Sequence, residues 1–296
     1  MIKKILHIQV LPKLSGVQKI SLEILKSLPN DKYEKWILFS DVIDAGDKNA
    51  CRNAFEKAGV KVLFSSTLKR DIGFGDIKAT KEIYQLCKKE GFDIVHTHST
   101  KPGIVGRIAA SFAGVPVVIH TVHGLAFHKF IKFPKWQFYW GCEMFASFFC
   151  KKIILVNNYY SKYFNWFKSK TITIYNGIDF NELIEVDGDK SNLKILFVGR
   201  LDTPKDPLSL LAAASLVVEK FPKIIFTLVG DGEKYNECRD YIIKNKLDNN
   251  IKLEGWQNNV AKYYGSHDIF FAPSIYESFG LMFVEAGYYK LPIVST

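Results

Sequence analysis

Two glutamates, Glu277 and Glu285, follow an apolar segment that is predicted to be a strand over residues 268–272. A helix is predicted to begin after this strand, with Ser278 as its N-cap and Gly280 allowing a ligand to approach backbone amides. The N-terminus of a helix at the carboxyl end of a strand binds anions. We therefore expect the two carboxylates to accept hydrogen bonds from hydroxyl groups in different parts of one extended, negatively charged ligand. The competing interpretation is a solvated helix start with two unrelated acids.

Two cations follow an earlier predicted strand, Lys194–Val198. Gly199 and Arg200 end this strand, and Lys205 comes shortly before the next predicted helix. A guanidinium can bind a diphosphate through two hydrogen bonds, and an ammonium adds a mobile point charge. Each cation alone would be an ordinary surface charge, but both lie in the same half of the chain as the glutamates. We therefore predict that they bind a diphosphate, and that Gly230, in a later glycine turn, lines the same site with its backbone.

Glycine and histidine mark the strand ends in the first half of the chain. Gly16 follows the first predicted strand and precedes a helix, which permits backbone approach to a ligand, although the three-glycine spacing of a dinucleotide site is absent. Five of the seven histidines follow two later strands, at His96, His98, His120, His123 and His128. The first pair lacks the acidic residue expected of a histidine-x-histidine hydrolase site, and the loop after the second strand offers no carboxylate nearby in the sequence, so no metal is predicted. For His96 and His120 a role in the core is the favoured interpretation.

Alternating strands and helices must position these residues. Seven apolar segments of strand length precede the acidic segment 179–192, and five more follow it, with helical spacing between them. This alternation predicts an α/β fold of two parallel, doubly wound sheets. The predicted domains are residues 1–178 and 193–296, joined by a linker over 179–192. Because ligands bind beyond the carboxyl ends of parallel strands, two Rossmann-like domains facing across a cleft would hold the ligand between them.

The segment that contains both glutamates resembles the glutamate motif of glycosyltransferase family 4, whose members are retaining enzymes of the GT-B fold. The resemblance implies that Glu277 binds hydroxyls of the donor sugar and that Glu285 binds the ribose of the nucleotide. It also implies that the backbone amides of Ser278, Phe279 and Gly280 face the sugar and the phosphates of the donor.

The same resemblance gives the two cations a role in the reaction. Arg200 and Lys205 would stabilise the departing nucleoside diphosphate without a metal. Gly16, Gly199 and Gly230 would line the donor with their backbones. No cofactor is implied, because the nucleotide sugar is itself a substrate.

In the first half of the chain, the resemblance places His123 in the cleft, where it would be catalytic together with the two cations and Glu277. His98 and Lys101 would line the acceptor side. The implied reaction transfers a sugar from a nucleotide donor, most simply a UDP-sugar, to a hydroxyl group with retention of configuration. Residues 93–128 resemble bacterial enzymes of capsule, O-antigen or related polysaccharide assembly, which implies a lipid-linked saccharide as the acceptor.

Charge is unevenly distributed along the chain. Residues 1–175 contain 27 basic and 13 acidic residues, whereas residues 176–296 contain 13 and 17. The first half therefore carries +14 and the second −4, which indicates an anionic partner for the first domain only. No nucleic-acid-binding motif accompanies this charge, so we expect an anionic membrane surface as a partner and no nucleic acid. Aromatic residues flanked by lysines over residues 136–150 would suit a headgroup region, although core packing is the favoured interpretation.

The remaining features of the sequence concern location and completeness. Five scattered cysteines without a C-x-x-C pair, no signal peptide and no long apolar segment predict a cytoplasmic protein. The charge of the first domain adds the expectation that it is peripheral on the inner face of the cell membrane. Two alternatives stay open: a nucleotide-sugar 2-epimerase, which would need catalytic acids in the first domain, and an inactive truncated remnant. Because relatives continue through further helices, we expect the second domain to be incomplete and the turnover to be low.

Overall fold

The computed structural model describes residues 2–42, 48–69, 73, 75–128, 131–179, 193–257 and 259–296. The chain divides into two compact units, Met1–Asn176 and Gly177–Thr296. The first predicted domain ends two residues beyond this division. Residues 180–192 of the predicted linker lie outside the described residues.

A seven-stranded parallel sheet forms the centre of the first unit. Its strands are β1 (Lys3–Ile8), β2 (Tyr33–Ser40), β3 (Val60–Ser65), β4 (Ile94–His98), β5 (Val117–Val122), β6 (Lys152–Leu155) and β7 (Thr171–Thr173). Their order in the sheet is β3-β2-β1-β4-β5-β6-β7. The direction of winding reverses between β1 and β4, which makes their carboxyl ends the switch point at which such sheets bind ligands.

Helices connect the strands of this sheet. They are α1 (Gly16–Ser27), α2 (Lys48–Lys57), α3 (Gly75–Glu90), α4 (Thr100–Phe112) and α5 (Lys135–Ser147). Right-handed crossovers put α1 and α2 on one face of the sheet and α3, α4 and α5 on the other, because winding proceeds in opposite directions from β1. Helix α4 packs between α3 and α5.

A buried ion pair joins α4 to α5. Arg107 donates from Nη2 to Oε1 of Glu143 at 2.8 Å, and both side chains are almost completely shielded from solvent. Arg107 also donates from Nε to the carbonyl of Gly103 at 2.7 Å. Removing either partner of such a pair would leave an uncompensated buried charge, so the pair fixes the register of the two helices.

The second unit repeats the arrangement with five parallel strands. These are β8 (Lys194–Val198), β9 (Ile225–Val229), β10 (Ile251–Gly255), β11 (Ile269–Ala272) and β12 (Ile293–Ser295), in the order β10-β9-β8-β11-β12. Its helices are α6 (Pro207–Lys220), α7 (Tyr235–Lys244), α8 (Ala261–Gly265) and α9 (Leu281–Tyr288). The switch point of this sheet lies between β8 and β11.

Local sequence explains where α6 begins. Asp206 adopts a left-handed conformation with φ 49°, and its carboxylate accepts a hydrogen bond from the backbone N–H of Ser209. Pro207 occupies the first helical position, where the missing N–H has no intrahelical partner to lose. Apolar side chains on the inner face of α6, such as Leu210 and Leu211, then pack in the core of the second unit.

The predicted two-sheet α/β fold is confirmed, and each of the twelve predicted strands is present. β2 begins three residues earlier than predicted, at Tyr33. The whole of β1 was predicted two residues too late, because the strand begins at two lysines rather than at the first apolar residue. Backbone pairing with β2 includes Lys3 and Lys4, and Lys4 also donates its N–H to Asp93. All five cysteines are free thiols. Within the described ranges, no helix has the length and hydropathy needed to span a bilayer.

Candidate functional site

The loops that follow β8 and β11 meet at the switch point of the second unit. The first loop carries Arg200 and Lys205, and the second carries Glu277. A backbone hydrogen bond from the N–H of Tyr276 to the carbonyl of Pro204, at 3.3 Å, ties the two loops together. The sequence-predicted cations and the first glutamate therefore lie at the edge of the sheet where doubly wound folds bind ligands.

Lys205 and Glu277 form an ion pair between these loops. The ammonium Nζ of Lys205 donates to Oε2 of Glu277, and the two side chains are 12% and 24% exposed. Lys205 ends a short 3-10 turn, Thr203–Lys205, whose cap is the carboxylate of Asp202. A cation and a carboxylate from two loops are thus held in one half-buried place, where they can bind the phosphate and the hydroxyls of one ligand.

Burial changes the protonation of this lysine. Desolvation, helped by the nearby charge of Arg200 and opposed by Asp202, lowers the pKa of Lys205 to about 8. Arg200 itself is 58% exposed and binds Asp202, with 2.9 Å between Nη2 and Oδ2. Lys205 is therefore a poorly solvated cation near neutral pH, and Arg200 is a solvated one beside it.

Helix α9 begins later than the sequence predicted. Its N-cap is Gly280, with φ 75°, and not Ser278. The backbone N–H of Ser278 instead donates to Oε1 of Glu277 at 3.2 Å. The prediction of a Ser278 cap was wrong because that residue lies in the loop and helps to orient the neighbouring carboxylate.

Gly280 is required at this position for two reasons. Its φ of 75° lies in the left-handed region, which side chains other than glycine rarely adopt. A Cβ there would also lie 2.5 Å from Cδ2 of Phe283 and 3.0 Å from Cγ of Glu277. The glycine therefore makes room for the side chain of Glu277.

Gly280→Ala is expected to weaken binding of the nucleotide sugar that the sequence resemblance implies by about tenfold, because strain of about 1–3 kcal/mol would displace Glu277. The measurement is calorimetric titration of the donor into each variant. Gly287→Ala in the same helix is the control, since a Cβ at that residue meets nothing within 4 Å. Equal affinities for the two variants would show that Gly280 does not position the carboxylate.

Glu285 lies in the second turn of α9 and has a defined partner. The hydroxyl of buried Tyr264 donates to Oε2 of Glu285 at 2.7 Å. Burial and this carboxylate raise the pKa of Tyr264 well above its usual value, so the phenol remains a donor. The sequence did not identify Tyr264, because it belongs to a different helix, α8, and contributes no recognisable motif.

Gly199 and Gly230 allow the backbones after β8 and β9 to touch. Gly230 has φ 143°, and a Cβ there would lie 1.8 Å from the carbonyl oxygen of Gly199. The N–H of Gly199 donates to the carbonyl of Val229 at 3.0 Å. Glycine at residue 230 therefore has a packing reason independent of any ligand, and its role as backbone lining of a donor site remains a prediction.

A cluster of buried histidines lies at the switch point of the first unit. His7 on β1 lies 3.0 Å from His98 on β4, between Nδ1 and Nε2. His98 Nδ1 lies 3.0 Å from Nε2 of His123, which follows β5. Ser21 on α1 closes the chain, with its hydroxyl 2.5 Å from Nδ1 of His7. The sequence analysis missed His7 and Ser21, because their proximity depends on the pairing of β1 with β4.

These histidines are neutral at physiological pH. Burial lowers the pKa of His96 to about 3 and that of His123 to about 4. Burial and neighbouring histidines lower the pKa values of His7 and His98 well below the usual value. His96 and His120 bond to threonine hydroxyls of adjacent strands, in agreement with the core role favoured for them.

The cluster could also supply metal ligands. One ligand atom each from His7, His96 and His98 lies within 4.8 Å of the others, and Nε2 of His7 has no hydrogen-bond partner among the described residues. Three imidazoles are a known zinc ligand set. A carboxylate also lies nearby, contrary to the impression from the sequence: Oε1 of Glu143 is 3.5 Å from Nε2 of His120, although it is paired with Arg107. The absence of a metal remains a prediction.

The other predicted residues of the first unit lie beside this cluster or its neighbouring loop. Lys101, in the first turn of α4, is buried and binds Asp76 of α3, with 2.6 Å between Nζ and Oδ1. Ser99, which follows His98, has a positive φ of 64°, a conformation that is rare outside glycine and is often retained at functional sites. Gly16 is the exposed first residue of α1. The acceptor-side roles of His98 and Lys101 and the donor-side role of Gly16 remain predictions.

Comparison with known proteins gives two family matches. A family model described as "Glycosyltransferase Family 4" matches residues 14–182, and one described as "Glycosyl transferases group 1" matches residues 180–296. An Escherichia coli protein named UDP-Gal:alpha-D-GlcNAc-diphosphoundecaprenol alpha-1,3-galactosyltransferase is 34% identical, over 98% of this chain and 78% of that protein. The Escherichia coli O-antigen biosynthesis glycosyltransferase WclY is 25% identical, over 99% of this chain and 80% of that protein.

Solved structures share the fold. The crystal structure of HepE from Anabaena in complex with UDP and glucose superposes with a TM-score of 0.81 at 19% identity, covering 99% of this chain and 80% of that chain. At this identity the similarity shows the GT-B fold and does not identify the substrate.

Proposed function

Because the chain belongs to glycosyltransferase family 4, we propose that it transfers a sugar from a UDP-sugar to a hydroxyl group of a lipid-linked saccharide, with retention of configuration. The observation that carries the proposal is the pairing of Lys205 with Glu277 at the switch point of the second unit. Binding of a sugar diphosphate needs both a cation and a hydroxyl acceptor at one place, and these two side chains supply them.

In the proposed reaction, the bond between the anomeric carbon and the diphosphate oxygen breaks while a bond to the acceptor oxygen forms, and the acceptor hydroxyl gives its proton to the departing diphosphate. Negative charge then develops on the departing diphosphate. Lys205 and Arg200 stabilise that charge, and the half-buried ammonium of Lys205 contributes more because little water screens it. Glu277 accepts hydrogen bonds from sugar hydroxyls, and Glu285, oriented by Tyr264, accepts them from the ribose. The amides of residues 278–280 and the backbones of Gly199 and Gly230 complete the donor side.

The first unit supplies the acceptor side in this proposal. His123, His98 and Lys101 belong to it, and Gly16 opens α1 of the same unit with an exposed backbone. The neutral state of His123 fits the recognition of a hydroxyl group, because a neutral ring can donate from one nitrogen and accept at the other. Both ring nitrogens of His98 contact other histidines of the cluster, so His98 would act by holding the ring of His123 in place. The relative that acts on a diphosphoundecaprenol-linked sugar supports a lipid-linked acceptor, with UDP-galactose as the first donor to test.

The diphosphate contact is tested by calorimetric titration of UDP. Arg200→Ala is expected to weaken UDP binding by about tenfold or more, because a charge-assisted hydrogen bond contributes about 1.5–3 kcal/mol. Arg239→Ala is the control, since this arginine of α7 is similarly exposed and also pairs with an aspartate. Chelator is expected to leave the affinity unchanged. Loss of UDP binding on chelation, with no effect of Arg200→Ala, would exclude side-chain binding of the diphosphate.

A further inference from the structure

One layer of the first unit presents large apolar side chains to solvent. The layer consists of α3, α4, α5 and the residues that follow α5, all on one face of the sheet. Its exposed apolar side chains are Ile77, Tyr84, Phe112, Phe145 and Phe148, with exposed fractions of 73%, 36%, 68%, 57% and 66%. We call this surface the α3–α5 face. Five such side chains on one layer exceed the single exposed apolar residues that are ordinary on protein surfaces.

These side chains form a continuous apolar surface. A groove of about 410 Å³ lies between α3 and α4, lined by Ile104 and Ile108 on one side and by Ile77 and Tyr84 on the other. Phe112 lies at the end of the groove. Its ring centroid is 5.7 Å from that of Phe149, which is 5.2 Å from that of Phe145. Apolar contact thus extends from α3 across α4 to the end of α5.

The charge of the α3–α5 face is positive. Residues 77, 81, 84 and 88 recur at helical spacing, so Lys81 and Lys88 share one stripe of α3 with Ile77 and Tyr84. The four carboxylates of the three helices do not oppose them. Asp76 binds Lys101, Glu82 binds Ser65 and Thr67, Glu143 binds Arg107, and Glu90 ends α3 beside Lys89.

We propose that the α3–α5 face lies on a bilayer that contains anionic lipid. Its aromatic and aliphatic side chains enter the headgroup region, while Lys81 and Lys88 bind lipid phosphates. A positive surface with apolar residues between the lysines complements such a bilayer in both charge and hydropathy. The inference rests on the proposed function, because a lipid-linked acceptor requires the enzyme to reach the membrane. The proposal also identifies Lys81 and Lys88 as residues through which the positive charge of the first domain acts.

Vesicle sedimentation of the whole chain tests the proposal, without donor or acceptor. The vesicles consist of phosphatidylcholine alone or with phosphatidylglycerol. Lys81→Glu/Lys88→Glu is expected to weaken binding to the anionic vesicles by at least about tenfold, since each basic residue near such a surface contributes about 1 kcal/mol. Lys220→Glu/Lys244→Glu makes the same charge change on exposed lysines of the second unit and is expected to change binding less than twofold.

Apolar contact needs a separate measurement. In the Phe112→Trp variant, brominated lipid is expected to quench the fluorescence of the added tryptophan. In the control variant Leu216→Trp, on an exposed position of α6, no additional quenching is expected. Equal loss of binding for the two lysine pairs, no binding of the unaltered chain, or equal quenching of the two tryptophans would each overturn the proposal. UDP titration does not use vesicles, so a failure of vesicle binding would not contradict the proposed reaction. A failure of UDP binding would likewise not contradict membrane binding by the α3–α5 face.

Discussion

Replacing Lys205 with alanine is expected to lower kcat by about 10²–10³-fold, because the charge that develops on the departing diphosphate loses its least solvated cation. The substitution also leaves Glu277 without its ion-pair partner, which weakens the orientation of the sugar. Initial rates of UDP release, measured with a coupled assay, give the comparison. Lys252→Ala, which removes an exposed lysine of β10 in the same unit, is the control. Equal rates for the two variants would show that Lys205 takes no part in the reaction.

The pH dependence provides a second readout of the same lysine. Because the pKa of Lys205 is lowered to about 8, the ammonium is lost as the pH rises through 8, and kcat/KM is expected to fall above that pH. Lys205→Arg retains a positive charge throughout this range and is expected to have no alkaline decrease, even if its rate is lower. An unchanged alkaline decrease in the arginine variant would assign it to another group.

The first unit is expected to lose about 4 kcal/mol of stability between pH 7.5 and pH 5, from two histidines alone. The pKa values of His96 and His123 are about 3 and about 4 in the folded chain, below the ordinary value of 6.5. The unfolded chain therefore binds more protons than the folded chain below pH 6.5, and the folded state becomes less stable as the pH falls. Each histidine contributes about 2 kcal/mol at pH 5 by this linkage. His7, His98 and His120 act in the same direction.

Urea unfolding at the two pH values measures this loss. Four of the five tryptophans belong to the first unit, so Trp256→Phe makes fluorescence report on that unit alone. In this background, His123→Asn is expected to reduce the difference between the two pH values by about 2 kcal/mol. His267→Asn, in the second unit, is the control and should leave the difference unchanged. A first unit equally stable at both pH values would contradict the neutral state assigned to the cluster.

Hydrophobic periodicity was sufficient to predict the strands and the two-sheet fold. The proximity of the cations to Glu277 was also predictable, because they lie in the loops after β8 and β11 and a parallel sheet brings the ends of adjacent strands together. What could not be predicted was how a loop uses its own polar groups. Ser278 is a good N-cap by residue type, but its N–H donates to Glu277, and the left-handed backbone that Gly280 adopts easily starts the helix two residues later.

Contacts between segments that are distant in the sequence could not be predicted either. His7 occupies a plain apolar strand, and only the pairing of β1 with β4 brings it to His98, 91 residues away. Glu143 was visible as an acid among aromatic residues, which is a signal of a buried partner, but the sequence did not identify Arg107. Charge counts indicated that the basic first domain binds an anionic surface. The α3–α5 face, however, can be recognised only when the helices are arranged on the sheet.

Measurement of sugar transfer is the most direct test of the proposed function. The chain is incubated with UDP-[³H]galactose and N-acetylglucosaminyl diphosphate undecaprenol, and the radioactivity extracted with the lipid is measured. Labelled lipid with an α-linked sugar is expected, at a rate that Lys205→Ala lowers about 10²–10³-fold and that Lys252→Ala does not change. Label transferred equally by both variants, or UDP binding with no transfer from any UDP-sugar to any lipid-linked saccharide, would contradict the proposed function.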